Sequence, residues 1–264
     1  MLTRLLRALK PEPPSHIDLV HGDKRFRIQL KRAPTARKFT LRVRAATRDI
    51  VMTMPLRGSF KEAQAFAQRY AGWIDTRFAC LPQQIAFIHG ATIPLRGIAH
   101  SIAYRPGLRR TVWVERNASP DVAASMLLCV SGASAHVERR VLDYLKREAR
   151  SDLEAAVAHH TKAIGKAARK LTLRDQASRW GSCSSTGSLS FSWRLILAPA
   201  FVLDYLAAHE VAHLVHMDHS ARFWKLTASL IPDFERAEAW LKANGAGLHR
   251  YGGSVDDEAG AAGT

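Results

Sequence analysis

Cysteine is scarce in this chain of 264 residues, and the three that occur, Cys80, Cys129 and Cys183, form no CxxC pair. An odd number of scattered cysteines argues against a disulfide framework and against a cysteine-based zinc site. The sequence also lacks an uncharged apolar run of the roughly 18–20 residues that a membrane-spanning helix requires. Its opening, MLTRLLRALKPEPP, is too charged for a secretory signal. We therefore expect a cytoplasmic protein without a membrane partner.

Acidic residues are also few, with 23 Asp and Glu against 39 Lys and Arg, so the net charge is +16. The surplus is largest in residues 1–50, which hold 13 basic and 4 acidic residues. Such a charge can attract nucleic acid or nucleotides through a long-range field. In RFRIQLKR and RKFTLRVRA, however, basic and apolar residues alternate, as they do on the solvated face of β-strands. We favour such a face over a dedicated nucleic-acid site, and expect weak, non-specific binding.

The hydrophobic pattern divides the chain into a β-rich part and a part richer in helix. Residues 1–16 predict a disordered leader, and the small, acidic residues 249–264 predict a disordered tail. Within 17–133, the segments FRIQLKR, KFTLRVRA and DIVMTMP predict three strands of a meander, and SFKEAQAFAQRYAGWIDTRFACL predicts one packed helix. Residues 134–248 predict a long helix, a strand at 170–174 and a hairpin joined through Gly181 and Gly187. Three further helices follow, the last closed by Gly245. The fold class is therefore α+β.

The most informative stretch is DYLAAHEVAHLVHMDHSARFW, which holds an HExxH motif. On a helix, His209 and His213 project from one face with their Cβ atoms about 5–6 Å apart, so both can bind one metal ion. Hydrolytic zinc usually takes three protein ligands and leaves a fourth position to water. His219 is the nearest candidate for the third ligand, and Glu210 can accept a proton from that water.

The alternative is an ordinary helix whose two imidazoles pack or hydrogen-bond without a metal ion, because HExxH is short enough to occur by chance. The surrounding residues favour the metal site. Val202, Leu206 and Leu214 provide apolar packing, and Pro199 suits a first helical turn. Asp204 is one carboxylate that could accept a hydrogen bond from the outer nitrogen of a ligand, although its offset of five residues from His209 is awkward.

The run from SRWGSCSS through SWRL and the Ala-Pro pair to HExxH and HSARFW resembles the YgjP-like metal-dependent hydrolases, relatives of the SprT-like zincin metallopeptidases. Relatives often have Asn where this chain has Ser192. The resemblance covers roughly residues 20–245. It implies a zincin-like α+β catalytic half with an HExxH helix. It also implies Zn²⁺ bound by residues equivalent to His209, His213 and His219, with the catalytic carboxylate at Glu210.

The sequence therefore predicts a zinc-dependent hydrolase, and a metallopeptidase acting on polypeptide is the favoured form. Two alternatives stay open: hydrolysis of a non-peptide bond such as a nucleotide phosphoanhydride, and a nucleic-acid-associated SprT-like protease or binding protein. The resemblance and its glycines place the Arg179–Ser185 loop near the helix, where Arg179, Trp180 or backbone N–H groups could stabilise an oxyanion. A purely structural role for this loop is an equal alternative. Ser190–Leu195 is the strand expected to pair with an extended peptide.

Overall fold

The computed structural model describes residues 14–44, 47–81, 83–117, 126–176 and 179–252. These residues form six α-helices and three β-sheets, and the N-terminal half is rich in strands, so the mixed α+β class is confirmed. The chain divides into two compact units, one that ends at Leu81 and one that follows it. The change of sequence pattern at residue 134 therefore lies inside the second unit.

The first unit is built on a four-stranded sheet of β1 (His16–His21), β2 (Lys24–Ala33), β3 (Thr40–Arg44) and β4 (Asp49–Pro55). The strand order is β1-β2-β4-β3, and β2 and β4 are parallel while the other pairs are antiparallel. The predicted meander is thus wrong, because β4 lies between β2 and β3. Alternation of apolar residues defines the buried face of a strand but not its neighbours.

One face of this sheet is covered by α1 (Phe60–Arg69) and α2 (Ala71–Ala79). The Ser59 hydroxyl accepts a hydrogen bond from the Glu62 N–H at 3.2 Å, and the Glu62 carboxylate accepts one from the Ser59 N–H at 2.8 Å. This capping box begins α1. Tyr70 divides the segment that was predicted as a single helix. The core between sheet and helices consists of Ile17, Leu19, Phe26, Ile28, Ile50, Met52, Met54, Ala63, Ala67, Ala71 and Ile74.

The second unit contains a sheet of β5 (Thr92–Leu95), β6 (Ile98–Tyr104), β7 (Val112–Arg116) and β8 (Met126–Val130). Its order is β5-β6-β8-β7, with β6 and β8 parallel and the other pairs antiparallel. The two four-stranded sheets therefore have the same topology, which hydrophobic alternation did not predict. The long helix α3 (Val137–Ile164) follows and ends at Gly165, whose φ of 64° provides a left-handed cap.

A three-stranded sheet carries the glycine and serine hairpin. It consists of β9 (Lys170–Arg174), β10 (Gly181–Cys183) and β11 (Ser188–Ser192) in the order β10-β11-β9. Because β11 is paired on both sides, the predicted substrate strand at Ser190–Leu195 is wrong, and Trp193–Leu197 forms a 3₁₀ turn instead. Among the strands that the structure describes, β10 and β9 are the edges of this sheet.

Three helices complete the second unit: α4 (Ala200–Ala212), α5 (Ala221–Leu230) and α6 (Phe234–Leu248). Most of α4 is buried, and it contacts α3, α5, α6 and β10. The prediction that Gly245 closes the last helix is wrong, because α6 continues to Leu248. A Cβ at Gly245 would lie 3.1 Å from the Trp180 ring, so glycine there permits close packing.

The predicted ends of the chain lie partly outside the described residues, which exclude 1–13 and 253–264. His16 already belongs to β1, and His249 is buried. Tyr251 forms a β-bridge with Ile85. The Arg194 guanidinium donates to the carbonyls of Leu248 and Tyr251, and these hydrogen bonds hold residues 248–251 against the second unit. Within the described ranges, no helix combines the length and the apolar composition needed to cross a bilayer.

Candidate metal centre

Helix α4 and the loop after it bring three imidazoles together. His209 lies in the last turn of α4, His213 is its C-cap residue, and His219 lies just before α5. One nitrogen of each ring lies within 4.8 Å of the other two, and Nε2 of His209 is 3.2 Å from Nε2 of His219. The helical spacing and the loop together therefore make the three rings converge on one point.

Aromatic residues of α5 hold these rings in place. The Phe223 ring is fully buried, and its centroid lies 4.9 Å from His209, 4.4 Å from His213 and 4.8 Å from His219. Trp224 lies beside His209 and His219, with ring centroids 5.9 and 5.8 Å away. The Phe-Trp pair that follows His219 in the sequence is thus the packing surface for the imidazoles.

The outer nitrogens of two rings have partners of their own. Nδ1 of His213 is 2.9 Å from the His216 carbonyl, which can only accept a hydrogen bond. Nδ1 of His209 is 3.3 Å from the Tyr205 hydroxyl. Sequence reasoning missed these partners. Asp204, which the sequence offered for this role, instead lies 2.7 Å from Nε2 of the buried His160.

Burial favours the neutral form of His209 and His213. Burial, together with the neighbouring His213 and His219, lowers the pKa of His209 to about 4. Burial also lowers the pKa of His213. A neutral imidazole has a free lone pair on one ring nitrogen, and this is the form that binds metal ions. The electrostatics of the two helical residues therefore suit ligation near neutral pH.

Glu210 is buried beside the imidazoles, with 4% of its surface exposed. Its Oε2 has no hydrogen-bond partner among the described residues. Burial raises the pKa of this carboxyl to about 7, while the positive charge of Arg179 lowers it. The carboxylate approaches β10 so closely that a Cβ at Gly181 would overlap Oε1 of Glu210. Glycine is therefore required at 181 so that the strand can lie against Glu210.

The donor set fits zinc. Tetrahedral zinc with bonds of about 2.0–2.1 Å places its nitrogen ligands roughly 3.4 Å apart, close to the 3.2 Å between the His209 and His219 nitrogens. A buried carboxylate oxygen without a hydrogen-bond partner costs free energy, so the position beside Oε2 of Glu210 favours a further polar group. His209, His213 and His219 would hold the ion, with Glu210 at its side.

The Arg179–Ser185 segment lies beside the centre through Gly181 and Arg179, but not all of it faces Glu210. The Trp180 indole stacks on His249, with ring centroids 5.1 Å apart, and packs against Gly245. The Ser192 N–H donates to the Trp180 carbonyl at 2.8 Å. Burial raises the pKa of the Cys183 thiol, and the charge of Glu210 raises it further, so the thiol stays protonated. Arg179 is the charged residue of this segment that acts on Glu210.

A small pocket of about 240 Å³ adjoins His213. Lys166 lies at its rim, where the ammonium group donates to the Leu214 carbonyl at 3.3 Å. Its volume is enough for one side chain of a larger molecule, and its lining is partly polar and partly apolar. Its lining residues are Lys166, Ala167, Ser184, Ser185, Gly187, His213, Leu214 and Met217.

Comparison with protein families agrees with the geometry. The model of the YgjP-like metallopeptidase domain matches residues 37–244. The chain belongs to the YgjP-like family. In this YgjP-like protein the matched segment includes Glu210 and all three imidazoles, and it extends over parts of both compact units. Membership of a metallopeptidase family supports a metal-dependent peptidase.

A solved metallopeptidase structure is also similar to part of the YgjP-like chain. The crystal structure of the metallopeptidase zymogen of Pyrococcus abyssi abylysin is similar at 21% sequence identity, with a TM-score of 0.33. The alignment covers 38% of this chain and 97% of the abylysin chain. A search of curated proteins gave no match. The family assignment therefore rests on the family model.

Proposed function

We propose that the protein is a zinc-dependent metallopeptidase, with His209, His213 and His219 as the zinc ligands and Glu210 as the general base. The observation that carries this proposal is the convergence of three imidazole nitrogens beside a buried carboxylate oxygen that has no partner among the described residues. Membership of the metallopeptidase family supports the same reaction class.

Zinc, Glu210 and Arg179 have separate roles in the proposed chemistry. When bound, zinc supplies a Lewis acid that polarises a carbonyl and lowers the pKa of water to roughly 7. Glu210 accepts the proton of the attacking water and later returns it to the leaving amine. In the metal-free protein, burial raises the pKa of this carboxyl to about 7, which favours uptake of a proton at neutral pH. Arg179, which precedes β10, provides a positive charge that favours the ionised form of this carboxyl.

An extended polypeptide is the substrate that the surroundings support. The edge strand β10 runs beside Glu210 and can pair with a peptide in extended conformation. Val215 and Met217, between the second and third imidazoles, are 39% and 54% exposed and offer apolar contacts. The pocket next to His213 can take one substrate side chain. Extended backbone with apolar side chains is what unfolded proteins present.

The direct test is a turnover assay of the zinc-loaded protein on two substrates side by side, an unfolded protein and a nucleoside triphosphate. We expect cleavage of the unfolded protein, abolished by a chelator and restored by added zinc. Release of phosphate or pyrophosphate without peptide cleavage would instead assign the centre to phosphoanhydride hydrolysis.

We further expect weak and salt-sensitive binding of polyanions by the first unit. Arg25, Arg27 and Lys31 on β2 are exposed on the side of the sheet opposite the buried Phe26 and Ile28. Non-specific binding of this type has dissociation constants of about 10⁻⁴–10⁻⁶ M at physiological salt and weakens steeply as salt rises.

Titration of labelled single- and double-stranded DNA at two salt concentrations measures this affinity. Replacing Arg25, Arg27 and Lys31 with serine should reduce both the affinity and its dependence on salt. Tight binding that persists at high salt and prefers one sequence would instead support a nucleic-acid-associated protease of the SprT-like type.

A further inference from the structure

Tyr205, one turn before His209 on α4, connects that imidazole to a carboxylate on α6. The Tyr205 hydroxyl donates to Oε1 of Glu238 at 2.8 Å, and the same hydroxyl oxygen lies 3.3 Å from Nδ1 of His209. A phenol has only one hydrogen, so a hydroxyl that donates to Glu238 can only accept from His209. Nδ1 of His209 must then carry the proton, and the lone pair is left on Nε2, the atom that faces His219.

The environment of Tyr205 fixes this direction of donation. The residue is 3% exposed. An ordinary phenol loses its proton only at about pH 10, so at neutral pH the hydroxyl has a hydrogen to donate to Glu238. The ring stacks on Phe234 with centroids 6.4 Å apart and meets the edge of His209 at 5.7 Å. Neither the ring nor its proton is therefore free to reorient.

We propose that Tyr205 and Glu238 are positioning residues of the metal centre, which hold His209 in the one tautomer and orientation that presents Nε2 to the ion. This inference rests on the proposed function, since it concerns the same three-imidazole site. The pair does not touch the substrate in this proposal. The pair acts through His209. Because Tyr205 donates to the negatively charged Glu238 and accepts from His209, this chain of hydrogen bonds favours a cation bound at His209.

His213 is held in one tautomer too, but by a backbone carbonyl and not by a side chain. Its Nδ1 faces the backbone carbonyl of His216, which holds the tautomer by main-chain geometry alone. His209 lacks such a carbonyl partner among the contacts of the described residues, and the Tyr205 hydroxyl takes that place. Loss of the hydroxyl should consequently affect His209 and leave the other held imidazole unchanged.

The test measures zinc affinity by competition with a chromophoric chelator. Outer partners of metal-bound histidines typically contribute about 10–100-fold to affinity, and we expect a loss of that size for Tyr205→Phe, which keeps the ring and its packing. Glu238→Ala, at an exposed position of α6, should weaken zinc binding in the same direction. Glu235→Ala, also exposed and one turn earlier on α6, is the matched control and should bind zinc like the unaltered protein.

A double variant tests whether the two residues act as one unit. Once the hydroxyl is absent, Glu238 has no route to His209, so Tyr205→Phe with Glu238→Ala should bind zinc no more weakly than Tyr205→Phe alone. Unchanged unfolding temperatures of the metal-free variants would show that the effect is on the site. Full zinc affinity in Tyr205→Phe, or strictly additive losses in the double variant, would overturn the inference. Failure of the unaltered protein to bind zinc would instead contradict the proposed function.

Discussion

Replacing Glu210 with glutamine is expected to reduce kcat/KM for peptide hydrolysis by about 10²–10⁴ while zinc remains bound. An amide has nearly the shape of the carboxyl group but cannot accept the proton of the attacking water. The three imidazoles are not altered, so the stoichiometry of zinc should stay the same. Initial rates on an unfolded protein, together with elemental analysis of the same sample, measure both quantities.

The stability of this variant provides an internal control. Burial raises the pKa of Glu210 to about 7, so in the metal-free protein the fold disfavours the charged carboxylate. Glutamine carries no charge, and we expect metal-free Glu210→Gln to unfold at the same temperature or higher above pH 7. A loss of activity then reflects lost chemistry and not lost structure. Near-normal turnover in Glu210→Gln would show that another group is the base.

The local part of the centre follows from short-range rules. Residues four apart on a helix share a face, so HExxH alone predicts that the rings of His209 and His213 meet, and their centroids lie 5.0 Å apart. In the same way, Pro199 predicts the start of α4 and Gly187 predicts the turn before β11. These predictions need only the conformations of a few consecutive residues.

The long-range part of the centre does not follow from such rules. Tyr205 is visible in the sequence as an apolar position of α4, but its partner Glu238 lies on α6, and no periodic pattern connects the two helices. Gly181 was expected in the turn of a hairpin, whereas it lies in β10 and makes room for Glu210. Both roles depend on how α4, α6 and β10 pack together.

Strand order is a second example of the same limit. The apolar alternation in β2 and β4 predicts which side chains are buried, and Ile28 and Ile50 are buried accordingly. It does not indicate that these two strands are parallel neighbours, with Ile28 opposite Ile50. Likewise the alternation in β11 fits an edge strand and a central strand equally well. Which edge of the sheet can receive a peptide is therefore learned only from the folded chain.

Replacing His219 with alanine is expected to abolish stoichiometric zinc binding at neutral pH. His219 contributes one of three converging nitrogens, and removal of a direct ligand should exceed the roughly 10–100-fold loss expected for an outer partner. The residue is exposed and lies between α4 and α5, so its loss leaves the core intact. Elemental analysis after dialysis and circular dichroism of the same samples measure metal content and fold.

The matched control is His216→Ala, in the same loop. The contact of His216 with the centre is made by its backbone carbonyl, which accepts from Nδ1 of His213 and is retained in the alanine variant. His216→Ala should therefore keep its zinc and its activity, while His219→Ala loses both. Because the two variants remove the same side chain only three residues apart, a difference between them isolates the role of the His219 nitrogen. Full zinc content and turnover in His219→Ala would show that the third ligand lies elsewhere.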